Sequence, residues 1–181
     1  MALCGAAIVV TLSGAACEWT RGGGAWRIVT GHLTHWTYEQ LAWDAIAFLV
    51  LGMACARRDL RAFHATLLAS AIAIPIAVLV FASDIAAYRG LSGIDSALFG
   101  LLLVQARRSR LVIVSAIAFV AKIAFEAWTG GAVFATHMGA DVVTVPVAHL
   151  AGAMIGALAG ALREAGRAVS RRTLEHERPI A

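Results

Sequence analysis

Charge is scarce in this sequence. Only 14% of its 181 residues are Asp, Glu, Lys or Arg, 60% are hydrophobic, and mean hydropathy is +0.79. Soluble domains carry roughly 25% charged and about 45–50% apolar residues, so a soluble globular domain is excluded and a membrane protein is implied. Lysine is almost absent: of 15 basic residues only Lys122 is not an arginine. The formal net charge of +4 does not mark a nucleic-acid surface, because the arginines cluster between apolar segments, as topology signals do. Cysteine is sparse too. Cys4, Cys17 and Cys55 form no CxxC pair and no even framework, and two of them sit inside apolar stretches. They read as small packing residues rather than as disulfide partners or metal ligands.

Long apolar runs are what the chain does have. A spanning helix needs about 20 mostly apolar residues, so this length holds roughly six spans and no separate soluble domain. Apolar runs and charge breaks predict spans at 2–17, 39–56, 62–82, 92–106, 111–128 and 145–162. Runs this continuous exclude the alternating strands of a barrel, leaving an all-α polytopic bundle over residues 1–162 and a polar, frayed tail over 163–181. The stretch from Ala2 to Cys17 resembles a signal peptide in ending on small residues. It has no basic start, however, and Gly14 stands where a lipoprotein signal would have leucine, so it reads as a short retained span.

Arginines set the orientation. Arg57, Arg58 and Arg61, then Arg107, Arg108 and Arg110, then Arg163, Arg167, Arg171, Arg172 and Arg178 fall on one side, against Arg21, Arg27 and Arg89 on the other. The richer side is cytoplasmic, which puts both termini inside and the connections 18–38, 83–91 and 129–144 outside. Gly152, Gly156 and Gly160 recur at every fourth position of the last span, a spacing that makes a groove for close helix approach.

Polar groups at membrane depth are costly and mark candidate sites. They are His35, Gln40 and Asp44 at the start of span two, Ser92, Asp95 and Ser96 at the start of span four, Lys122 and Glu126 in span five, and His149 in span six. All the span starts named lie toward the outer face, so Ser92, His149 and Gln40 are expected to meet at one shallow level. Lys122 and Glu126, four apart, share a helix face, either as a structural ion pair or as a group that gates the bundle or grips a substrate. His32 and His35 have the spacing of a metal pair, but no further converging ligands are evident, and no metal or other cofactor is expected. His64 and His137 read as surface residues at span ends or in loops.

Two stretches resemble a known family. Gly90-Leu91-Ser92-Gly93 at the head of span four is similar to the GxSG motif of rhomboid intramembrane proteases, and Ala148-His149-Leu150-Ala151-Gly152 to their last catalytic span. Their order, on spans four and six of six, covers most of the chain. Gly31-His32-Leu33-Thr34-His35-Trp36, the Tyr88-to-Gly93 run, the compact size and the Lys122/Glu126 pair most resemble the rhombosortase branch. The family commonly shows a histidine, a second histidine five residues on and an asparagine four after that; this chain reads His35, Gln40, Asp44. Gln40 donates through its amide, whereas an ionised Asp44 only accepts. Either Asp44 is protonated, or it is structural and an oxyanion depends on Gln40 with backbone amides. Many rhomboids place an aromatic ring four residues after the serine to stack on the histidine; here Ser96 stands there, so another group must hold the imidazole. The stretch is not the nucleophile elbow of an α/β-hydrolase, which needs a second glycine where Ile94 stands and a strand before it.

The resemblance implies a serine endopeptidase. A serine hydroxyl needs a base, and His149 is the only histidine well inside a span, so Ser92 is read as nucleophile and His149 as general base and later acid. The Ser92 N–H at a helix start and the Gln40 side chain would stabilise the oxyanion, with His35, Asp44, Gly90, Leu91 and Gly93 in support. Asp95, one turn below Ser92, either complements the helix dipole or orients His149. The rhombosortase branch implies membrane-anchored substrates cut near the extracytoplasmic face at a C-terminal Gly-Gly-containing sorting tail, and an inner bacterial membrane with the site toward the periplasm. The lipid bilayer is the other partner; nucleic acid is not one. A rival from another class is an inactive rhomboid-like protein that escorts membrane clients, and a third is a small transporter with Lys122 and Glu126 as charge relay. The presence of Ser92 and His149 disfavours the former and the lack of internal repeats the latter.

Overall fold

The computed structural model describes residues 2–14, 16–107, 109–133 and 143–176. Along the chain run α1 (Ala2–Ser13), β1 (Trp19–Thr20), α2 (Arg27–Thr30) leading into a 3-10 turn at Gly31–Leu33, α3 (Tyr38–Arg58), α4 (Leu60–Phe81), β2 (Ala87–Tyr88), α5 (Ser92–Gln105), α6 (Arg110–Thr129) and α7 (Pro146–His176). The molecule is mostly helical, and apolar helices occupy each of the six stretches expected from sequence. Four of them, α3, α4, α6 and α7, are long and apolar enough to cross a membrane. At 1.5 Å per residue, α1 and α5 are roughly 18 and 21 Å long, shorter than the roughly 30 Å hydrocarbon core.

Local chemistry explains the boundaries. Thr37 caps α3 by accepting from the Gln40 N–H (3.1 Å), and Gln40 Oε1 reaches back to accept from the Trp36 N–H (2.9 Å). Asp59 starts α4 by accepting from the N–H groups of Arg61 and Ala62. Gly130, with φ +69°, closes α6, and Pro146 opens α7 where its missing N–H has no intrahelical role.

Two expectations are corrected here. The first span ends at Ser13 rather than 17, because Gly14 turns the chain with φ +64°. Within this mostly helical chain, the connection after α1 and the connection before α5 pair as a two-residue antiparallel ladder, Trp19 with Tyr88 and Thr20 with Ala87. From Arg163 to His176 the chain is helical rather than frayed: α7 continues unbroken to His176, and Asp59 Oδ2 accepts from Arg163 Nε (2.9 Å) and lies 2.7 Å from Arg167 Nη2. Arg108, Arg178, His137, most of the 129–144 connection and residues 177–181 lie outside the described residues.

The core is centred on α5, whose Ile94, Ala97, Leu98 and Leu101 are buried against α3, α4 and α7. Its packing on α7 depends on glycine. A Cβ on Gly152 or Gly156 would strike the carbonyl oxygen of Gly93 or Ala97, and one on Gly100 would strike that of Ala153. No side chain fits between these backbones, so the two helices meet at backbone contact and fix the head of α5 against the first turns of α7. Elsewhere the helices present exposed Leu68, Phe81, Leu111, Ile117, Trp128 and Leu158, which in a bilayer face acyl chains.

Candidate active site

The head of α5 and the first turns of α7 bring two reactive groups together. Ser92 is the first residue of α5, and its Oγ lies 3.0 Å from Nε2 of His149. His149 is buried, and its other ring nitrogen, Nδ1, stands 2.8 Å from Oε2 of Glu126 on α6. Lys122, one turn earlier on α6, donates to Glu126 Oε1 (2.6 Å), and its Nζ lies 3.3 Å from the same His149 Nδ1. Serine, imidazole and carboxylate thus form a continuous line across three helices. All four residues border a cavity of about 690 Å³ that Gln40, Tyr88 and Phe119 also line.

The loop before α5 is shaped to present Ser92. Gly90 adopts φ +114°, and a Cβ there would sit 2.6 Å from Nε2 of Gln40. Only glycine takes this backbone without strain and also leaves room for the Gln40 amide beside the loop. The Gly90 N–H donates to the Gly31 carbonyl (3.2 Å) and the Leu91 N–H to Asp44 Oδ2 (3.0 Å). Leu91 is fully buried, and Gly93 lies under the Tyr88 hydroxyl, which leaves it no room for a side chain.

The candidate site residues read from the sequence take distinct places. Gln40 donates from Nε2 to the Arg89 carbonyl (3.4 Å), which holds its amide beside Gly90. Asp44 serves as an acceptor for the loop before α5, a structural position. His35 sits behind it, with Nε2 at 3.2 Å from Asp44 Oδ2 and Nδ1 at 3.1 Å from Thr11 Oγ1, and hydrogen-bonds to neither Ser92 nor His149. His32 turns away from His35: its Nε2 donates to the Ala71 carbonyl (3.1 Å). Burial pushes the His32 pKa down to about 4, a shift that its backbone hydrogen bonds only partly offset. Among the described residues, no three His, Cys, Asp or Glu side chains converge as a metal site would require. His64 is exposed on α4. Cys4 and Cys55 are buried and all three cysteines are free.

Two alternatives are decided by geometry. Asp95 does not orient His149: both its carboxylate oxygens are buried without a hydrogen-bond partner among the described residues. Ser96 does not hold the ring either, since its hydroxyl donates to the Ser92 carbonyl (2.8 Å). Glu126 is the group that holds the imidazole, whereas sequence spacing pairs it with Lys122 alone. The available signal is an acid inside an otherwise apolar helix; which neighbouring helix it faces is not written in that helix.

Apolar helices of spanning length make this a multi-pass membrane protein. A family model described as Rhomboid domain matches residues 22–165, 144 of the 181 residues, and the chain belongs to the rhomboid family, whose members are generally intramembrane serine proteases. No curated protein matches the chain.

Proposed function

We propose that this protein is an intramembrane serine endopeptidase in which Ser92 is the nucleophile and His149 the general base. The observation that carries the reading is the 3.0 Å approach of Ser92 Oγ to His149 Nε2 at the wall of the cavity. At that distance Nε2 takes the hydroxyl proton as Oγ attacks a peptide carbonyl, and later gives it to the departing amine. Water then hydrolyses the acyl-enzyme by the reverse transfer. The Ser92 N–H, among the amides at a helix start that have no intrahelical acceptor, and the second N–H of the Gln40 amide are the donors for the oxyanion.

The substrates are membrane-anchored proteins. A substrate helix must unwind before a peptide bond is accessible, which favours glycine near the cut. We assign the chain to the rhombosortase branch, with C-terminal Gly-Gly-containing sorting tails as substrates. In this reading the chain crosses the membrane six times with both termini cytoplasmic, and residues 163–181 are the cytoplasmic C-terminal tail, which α7 enters as far as His176. The membrane is a bacterial inner membrane, and a 14-residue α5 leaves Ser92 recessed but within reach of periplasmic water.

The test is cleavage in proteoliposomes of a single-span substrate carrying a Gly-Gly motif before its anchor and basic residues after it. Wild type should cleave at or beside the motif, Ser92→Ala and His149→Ala should not, and replacing the glycines by leucine should abolish cleavage. Cleavage that ignores the motif would retain the protease and remove the sorting-tail assignment. No cleavage of any anchored substrate by folded wild type would favour the client-escort reading.

A further inference from the structure

Glu126 and Lys122 reach the same imidazole nitrogen with opposite requirements. A carboxylate can only accept a hydrogen bond and an ammonium can only donate one. Facing Glu126 Oε2 at 2.8 Å, His149 Nδ1 must carry the proton, which leaves Nε2 bare and able to take the Ser92 proton. Facing Lys122 Nζ at 3.3 Å, Nδ1 would have to be bare, which puts the proton on Nε2 and makes the ring useless as a base toward Ser92.

We infer that Glu126 is a positioning residue that holds His149 in the reactive tautomer, and that Lys122 tempers this hold by competing for both Glu126 and Nδ1. The inference rests on the Ser92–His149 reading above and extends it to a third and fourth group. Three features favour Glu126 in the competition. Its contact with Nδ1 is the shorter; its side chain is almost fully buried, where an unpaired carboxylate is costly; and its second oxygen already binds Lys122, which removes the cation's best-placed proton from the contest. When Ser92 gives up its proton, the imidazolium that forms lies between Glu126 and Ser92 Oγ, so the carboxylate stabilises the positive charge where it appears.

Other charged groups are near but do not hold the ring. Asp44, Asp84, Arg89 and Asp95 line the same cavity, yet among the described residues none hydrogen-bonds to His149. From β2, Tyr88 also borders the cavity. The titratable groups of α4, Arg61 and His64, lie in its first turns, beside the Asp59 cap and far along α7 from His149.

The experiment measures the second-order rate of phosphonylation by a fluorophosphonate probe against pH, on purified full-length protein in detergent. Glu126→Gln should lower the maximal rate by about 10²–10⁴-fold, the scale of a wrong tautomer in a serine protease, and should move the acidic limb to lower pH because an anion beside the imidazolium is gone. Lys122→Met should retain labelling and move the acidic limb the opposite way. The double variant should label at least tenfold faster than Glu126→Gln alone, because the introduced amide oxygen can then accept from Nδ1–H with no ammonium competing. Charge proximity alone would shift the two acidic limbs oppositely but would not give this recovery, which is the readout specific to control of the tautomer. Wild-type rate and profile in Glu126→Gln, with labelling abolished in Ser92→Ala, would overturn the inference and leave the Ser92–His149 pair standing. If Glu126→Gln does not fold, an unmoved acidic limb in Lys122→Met overturns it equally. An unreactive, folded wild type removes both.

Discussion

Asp44 stands where the family commonly has an oxyanion donor, and its environment explains the exchange. Its carboxylate accepts from the Leu91 N–H at 3.0 Å beneath Ser92, with His35 behind it, so an acceptor is what this position needs. Asp44→Ala should leave that buried N–H unsatisfied, lower stability by about 1–3 kcal/mol in thermal unfolding, and slow probe labelling by loosening the loop. His32 supplies a pH test. Its folded pKa of about 4 lies below the ordinary 6.5, so between those values the unfolded chain binds a proton that the folded one does not. Stability is therefore full above about pH 6.5 and falls as pH drops toward 4, with a slope of up to about 1.4 kcal/mol per pH unit. A melting-temperature series from pH 8 to 4 should show this loss, and His32→Gln should flatten it. Gln40 and Asp44 are legible in the sequence as polar residues at depth, but their separate jobs are not, because which backbone amide each one faces is settled by the turn at Gly90.

The contact of α5 with α7 is the element on which the site depends. Small residues at every fourth position announce a close approach, and the structure places Gly152 and Gly156 against the α5 backbone. Gly156→Leu should force the helices apart, destabilise the bundle by about 1–3 kcal/mol or more, and cut labelling at least tenfold by separating Ser92 from His149. Gly166→Leu, with open space around its Cα, is the control that should change neither. Helix α6 is different in kind. Glu126 is its only buried residue, and the Phe99–Phe119 stack, with ring centroids 4.9 Å apart, is a second tie to the bundle. Its apolar character is plain from sequence. The partner of its carboxylate is not, since a lone acid on an apolar helix fits an i,i+4 pair as well as it fits a neighbouring helix.

For the molecule as a whole, apolar runs and charge breaks locate the helices because lipid tolerates little else. The misjudged ends have local causes. Gly14 stops α1 inside an apolar run, and Asp59 ties down Arg163 and Arg167 where composition alone suggests a loose tail. Asp59 is itself held below the usual carboxylate range: burial raises its pKa, but hydrogen bonds from the Ala62 N–H and Arg163 and the charges of Arg167 and Arg163 outweigh it. The Ser92–His149 pair is readable from two short motifs joined by their order on the spans. The cavity, and the line from Ser92 through His149 to Glu126, emerge only when three helices are packed.

The central claim is that Ser92 is an activated nucleophile. Its most direct test is to treat the purified wild type with a fluorophosphonate and map the adduct by peptide mass spectrometry, with His149→Ala alongside. A single phosphonyl adduct on Ser92, absent from the folded His149→Ala protein, is the predicted result. An adduct on another residue, or none on folded wild type while a known rhomboid protease labels in parallel, would contradict it.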